Sequence, residues 1–130
     1  MAKHYLAVMV GGALGSLARY GVSAWIAADP WQVLGINWLG CFLLGFLNAR
    51  AARTGMPEWV RVGLGTGVLG GFTTFSTFSV GAVNLLHADR YAEMALYVAA
   101  SLAGGVLLAW AGLALGRRGG GAEPAREVTS

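Results

Sequence analysis

The sequence predicts an all-α membrane protein with four transmembrane helices, the third broken near its middle. Three observations carry this. Four apolar segments follow one another, each about 19 to 25 residues long, which at a helical rise of about 1.5 Å per residue crosses a core of about 30 Å. Charged residues make up only 12% of the chain and hydrophobic ones 56%, whereas a soluble domain is about one quarter charged. The third segment holds Gly70-Gly71-Phe72-Thr73-Thr74-Phe75-Ser76-Thr77-Phe78-Ser79 at its centre. Adjacent glycines, clustered hydroxyls and phenylalanines replace the Leu, Ile and Val of a lipid-facing helix there. Polar side chains and a weakened helix are tolerated at membrane depth only where they face protein or a water-filled path. The third span therefore points to an ion or solute route.

The first span runs from Tyr5 to Ala28 and contains Arg19. It is longer than a signal-peptide core and no clear small-residue cleavage site follows it. Asp29-Pro30 reads as a tight turn, because Pro cannot continue a helix. The second span is Trp31 to Ala49, and the connection Arg50 to Arg61 holds Arg53, Gly55, Pro57 and Glu58. The third span, Val62 to Leu86, contains no charge. His87 to Glu93 connects it to the fourth span, Met94 to Gly116. Residues 1–116 thus form one membrane domain, and the Gly-rich, charged stretch Arg117 to Ser130 reads as a disordered polar tail. Trp31, Trp59 and Tyr91 fall at span ends, where amphipathic rings prefer the headgroup zone.

The formal net charge is +3, and the excess lies outside the apolar runs. No basic stripe alternates with aromatics, so the charge suits a membrane surface and not nucleic acid. Cys41 is the only cysteine, which excludes an internal disulfide and any cysteine-based metal cluster. Four spans place both termini on one side, with Lys3, Arg50, Arg53, Arg61, Arg117, Arg118 and Arg126 there and Arg90 alone opposite. The positive-inside rule puts the termini of most copies in the cytoplasm of a cell-membrane protein. A bundle of four helices encloses little volume, so oligomerisation is expected. Small residues for close helix contact are plentiful, among them Gly11, Gly15, Gly67 and Gly105.

Two readings of the central segment stand open from the residues alone. In a continuous helix Phe72, Phe75 and Phe78 share a face and form a packing stripe. Alternatively their positive ring edges contact an anion, while Thr74, Ser76, Thr77 and Ser79 replace its lost water. Gly70-Gly71 weakens the helix and frees carbonyl oxygens, which are ligands for hard cations. Arg19 is a lone charge within a span, at a cost of about 2.5–3.5 kcal/mol or more. It either snorkels to the interface or faces an aqueous vestibule that draws in anions.

Gly-Gly-Phe-Thr-Thr-Phe-Ser-Thr-Phe at 70–78 resembles the signature of the Fluc/CrcB fluoride channels. So do Gly11-Gly12-Ala13-Leu14-Gly15-Ser16-Leu17-Ala18-Arg19-Tyr20 in the first span and Asn37-Trp38-Leu39-Gly40-Cys41-Phe42-Leu43-Leu44-Gly45 in the second. The likeness covers residues 5–116. It implies a passive fluoride channel built as an antiparallel dimer with two pores, which exports fluoride and lowers its cytoplasmic toxicity. By this resemblance Phe75 and Phe78 line the fluoride path by their edges and Asn37 donates an amide hydrogen. Ser76, Thr77 and Ser79 match the family's polar track, which Tyr97 and Ser101 complete by a looser alignment. The resemblance also implies a structural sodium ion at the dimer centre, held by the main-chain carbonyls of Gly70 and Thr73 from both subunits.

The charge bias departs from the near balance expected of a chain that inserts both ways. The partner is therefore either a second copy or an oppositely oriented paralogue. Other functions fit the residues less well. A small drug or cation exporter needs an intramembrane carboxylate, and none of Asp29, Glu58, Asp89, Glu93, Glu123 or Glu127 falls within a predicted span. A non-conducting membrane subunit does not require clustered hydroxyls beside Phe75 and Phe78. An enzyme is least expected, since no nucleophile–base pair or metal-ligand cluster stands out.

Overall fold

The computed structural model describes residues 1–26 and 29–118. They form α1 (Ala2–Trp25), α2 (Pro30–Thr54), α3 (Glu58–Val62), a π-helical stretch (Gly63–Leu69), α4 (Gly70–Phe72), α5 (Ser76–His87) and α6 (Tyr91–Arg118). Four segments are long and apolar enough to cross a membrane: Ala2–Trp25, Pro30–Thr54, Glu58–His87 and Tyr91–Arg118. The chain is a multi-pass membrane protein, and its third span is interrupted at 73–75.

The helices outrun the apolar segments. The second continues through Arg50 and Arg53 to Thr54, so the expected connection from Arg50 to Arg61 shrinks to residues 55–57. Hydropathy marks only the part of a helix that sits in lipid, and charged residues carry the helix beyond it. Gly55 ends α2 because it adopts the left-handed conformation (φ 62°), which costs a residue without Cβ little. The fourth helix begins at Tyr91 and ends at Arg118. Arg117 and Arg118 are therefore helical and not part of a tail. The expected disordered stretch from 119 onward, and the first span's expected end at Ala28, lie outside the described residues.

Local chemistry sets the helix ends. Asp29 caps α2 by accepting a hydrogen bond from the Trp31 N–H at 3.2 Å, with Pro30 in the first turn, where its missing N–H loses nothing. Gln32 closes the other side of this corner: its Nε2 donates to the Val22 and Ile26 carbonyls at the end of α1. At the opposite end of the molecule the Arg53 guanidinium donates to the Gly116 and Arg117 carbonyls. It places a cation on the last, unsatisfied turn of α6.

The bundle consists of two parallel helix pairs. In one, α1 lies along the first half of the third span, with its early residue Ala7 against Gly63 and its later residue Gly15 against Val68 and Phe72. In the other, α2 lies along α6, with Trp38 against Gly104 and Phe46 against Gly116. Both pairs depend on glycine at backbone contacts. A Cβ at Gly15 would overlap the Val68 carbonyl, and one at Gly112 would overlap the Phe42 carbonyl. The small core of Leu34, Leu85 and Tyr97 joins α2, α5 and α6. Outside it, large apolar side chains such as Leu6, Leu17, Val106 and Trp110 point outward, as a lipid-facing surface requires.

Candidate functional site

The interruption of the third span is built by side chains. Gly70 and Gly71, where the sequence suggested weakening, remain helical, and the chain leaves the helix at Thr73 (φ −76°, ψ 159°). Glycine lowers helix propensity by about 1 kcal/mol, and packing against α1 outweighs that here. What holds the break is Asn37 on α2. Its Nδ2 donates to the Thr74 carbonyl at 2.9 Å and its Oδ1 accepts from the Thr74 N–H, also at 2.9 Å. One amide side chain thus replaces both backbone partners of Thr74. Each such group left unpaired in lipid would cost several kcal/mol, by the general penalty of about 2–7 kcal/mol.

The hydroxyls around the break form a short relay. Thr74, a buried polar side chain, accepts at Oγ1 from the Thr77 N–H at 3.2 Å, the reach of a helix N-cap. Its own proton goes to Thr77 Oγ1 at 3.0 Å, and Ser76 Oγ lies 3.3 Å from Thr74 Oγ1. With the Thr74 proton engaged, Ser76 donates inward and Thr77 keeps a hydroxyl proton for an outer acceptor. Ser79 donates back to the Phe75 carbonyl at 2.9 Å. On α6, Tyr97 is fully buried, and both its hydroxyl and that of Ser101 are buried without a hydrogen-bond partner among the described residues.

The three phenylalanines do not lie on one continuous helix. Phe72 belongs to α4, before the break, and the rings of Phe75 and Phe78 follow it. Phe75 and Phe78 have centroids 5.9 Å apart, and Phe78 continues to Tyr97 at 5.2 Å. Phe75 is 80% exposed in the single chain. The ladder therefore runs from an exposed ring at the break to a buried ring in the core.

A cavity of about 340 Å³ gathers part of this chemistry. Asn37, Gly70, Thr73, Phe75, Phe78 and Ser101 of the residues singled out by sequence line it. Ser76, Thr77, Ser79, Tyr97 and Arg19 lie outside its wall. Thr74 and Cys41 complete its polar lining. Arg19 reaches inward from α1, and its Nη1 donates to the Thr73 carbonyl at 3.4 Å. Neither the two-point grip of Asn37 on Thr74 nor the Arg19–Thr73 contact is legible in the sequence. Asn37 and Arg19 stand out there as polar groups in apolar runs, but nothing local names their main-chain partners.

Comparisons with known proteins show the family. Residues 6–113 match the family described as CrcB-like protein, Camphor Resistance (CrcB). The chain is 42% identical over 116 residues to the protein named fluoride-specific ion channel FluC 2 of Geobacillus kaustophilus, covering 85% of this chain and 90% of that one. It is 43% identical over 119 residues to the fluoride-specific ion channel FluC of Thermus thermophilus, covering 88% and 94%. Against the protein of that name in Agrobacterium fabrum the identity is 45% over 116 residues, covering 85% and 93%. The match takes in all four spans and the break in the third, and the chain belongs to the CrcB family.

Proposed function

We propose that this chain is a passive, fluoride-specific channel of the cell membrane that lets fluoride leave the cytoplasm. The relatives' names support this reading. Within the chain, the observation that carries it is the meeting of Asn37, Phe75, Phe78 and Ser101 around one cavity beside a broken helix. A fluoride ion is small and strongly hydrated. A selective path must replace its water with fixed donors and a narrow fit. One Nδ2 hydrogen of Asn37 is taken by Thr74, and the second remains for an anion. Thr77, Ser101 and Tyr97 add hydroxyl protons, and the edges of Phe75 and Phe78 add positive ring hydrogens without a formal charge. Arg19 lies near enough to the break to attract an anion toward it.

A path through one chain is incomplete, since Phe75 and the cavity wall are open on one side. The channel is therefore an antiparallel dimer, formed with a second copy or with an oppositely oriented paralogue. A structural sodium ion, bound and not transported, sits where the two third spans meet. The carbonyls of Gly70 and Thr73 fit this role: both residues line the cavity, and the N–H groups that would occupy them in a continuous helix donate elsewhere. Sodium supplies positive charge that neutralises converging carbonyl dipoles.

Fluoride efflux from liposomes that contain this purified chain, alone or together with an oppositely oriented paralogue, tests the reading. Rapid fluoride release with chloride retained is the expected result. Equal release of both ions, or of neither, would overturn it.

A further inference from the structure

A continuous helix through 70–77 would close the Thr74 N–H on the Gly70 carbonyl and the Thr77 N–H on the Thr73 carbonyl. Neither closure occurs. The Thr74 N–H donates to Asn37 Oδ1, and the Thr77 N–H donates to Thr74 Oγ1. The two carbonyls proposed above as sodium ligands are thus the acceptors of two diverted donors. One side chain takes each N–H, so no donor is left bare while both acceptors keep a lone pair to offer. The long contact from Arg19 to the Thr73 carbonyl uses only one of that oxygen's two lone pairs. Thr74 is held for this task from both directions. Its peptide is gripped by Asn37, and its hydroxyl is fixed by Thr77 and Ser76. Asn37 and Thr74 both lie in the wall of the cavity that Gly70 and Thr73 also line.

We propose that Asn37 and Thr74 are positioning residues that create a binding site for a small hard cation, by drawing off the N–H groups that would otherwise saturate the Gly70 and Thr73 carbonyls. This rests on the sodium reading above. It separates Thr74 from its neighbour Thr77, which keeps a hydroxyl proton for the ion path. Thr74 acts on the cation through backbone geometry and touches neither ion. Asn37 has two duties at two atoms: Oδ1 holds the break, and the free Nδ2 hydrogen serves the anion.

The test is a sodium titration of the purified chain, with N-methylglucamine as the replacement cation at constant chloride. Thermal unfolding reads the sodium concentration that gives half of the stabilisation. Thr74→Ser and Thr74→Asn keep a capping oxygen, and the half-point stays within about twofold of the unchanged chain. Thr74→Val keeps the shape but lets the Thr77 N–H return to the Thr73 carbonyl, and the half-point rises by about tenfold or more. Should Thr74→Val purify only in sodium, the concentration at which half of it aggregates on dilution gives the same measure. An unchanged half-point in Thr74→Val overturns the assignment while leaving the sodium reading standing. An unsubstituted chain indifferent to sodium removes both.

Discussion

Phe75 and Phe78 are neighbours in one ring ladder yet stand in different surroundings, and substitution separates their roles. Phe75 is mostly exposed in the single chain, so Phe75→Ile changes folding stability by less than about 0.5 kcal/mol. Phe78 packs on Tyr97, and Phe78→Ile loses about 1 kcal/mol of ring–ring contact. Isoleucine keeps an apolar bulk at either position but has no ring edge to offer an anion. Fluoride efflux is expected to fall by about tenfold or more in each variant, which corresponds to about 1.4 kcal/mol of barrier. Elution at the same volume as the unsubstituted chain would separate this loss from misfolding, and unchanged efflux in both would return the rings to a packing role. Residue types were the part of the site legible in sequence: hydroxyls, amide and rings are conspicuous in apolar runs. Their bonding was not. Asn37 grips a peptide 37 residues away, and no local pattern encodes which main chain a distant amide will meet.

The spans were legible as elements because lipid imposes a length and an apolar composition that survive in a single sequence. Their ends were not, because a helix continues into water wherever capping and propensity allow, as α2 does through Arg50 and Arg53. Propensity places the break near Gly70-Gly71, and it lies at 73–75 because tertiary hydrogen bonds decide it. Gly71 has a different use. Gly71 presses against the Gly12 backbone, as Gly15 presses against Val68. In such contacts, Gly15→Ala forces a methyl into a carbonyl and destabilises the α1 contact by about 1–3 kcal/mol. Gly21 lies in the same helix, and a Cβ there would meet nothing within 4 Å. Gly21→Ala is therefore neutral or stabilising by up to about 1 kcal/mol through propensity. Thermal unfolding of the two variants in one detergent distinguishes them. Equal stabilities would mean that α1 can slide on the third span without loss.

At the scale of the molecule charge and symmetry pull against each other. The parallel helix pairs collect Lys3, Arg50, Arg53, Arg61, Arg117 and Arg118 near the end that holds the His4–Glu58 contact and the Arg53 cap. The other end carries Arg90, paired with Glu93 by two hydrogen bonds. Arg126 lies outside the described residues, and the bias does not depend on it. Arg61 sits within α3 and counts less, and the imbalance persists without it as well. Basic residues close to span ends resist translocation, so a chain expressed alone should insert with its C-terminus in the cytoplasm in most copies. An antiparallel dimer needs equal numbers of the two orientations. A strong bias is therefore compatible with the proposed channel only if a second chain of opposite bias supplies the inverted subunit. A C-terminal topology reporter on this chain, expressed without any paralogue, measures the split. A large cytoplasmic majority, together with weak fluoride efflux that an oppositely oriented paralogue restores, is the expected outcome. An even split between the two sides would show that Arg53 and its neighbours, engaged in capping the bundle's own helices, no longer direct insertion. A dimer of two identical chains would then suffice.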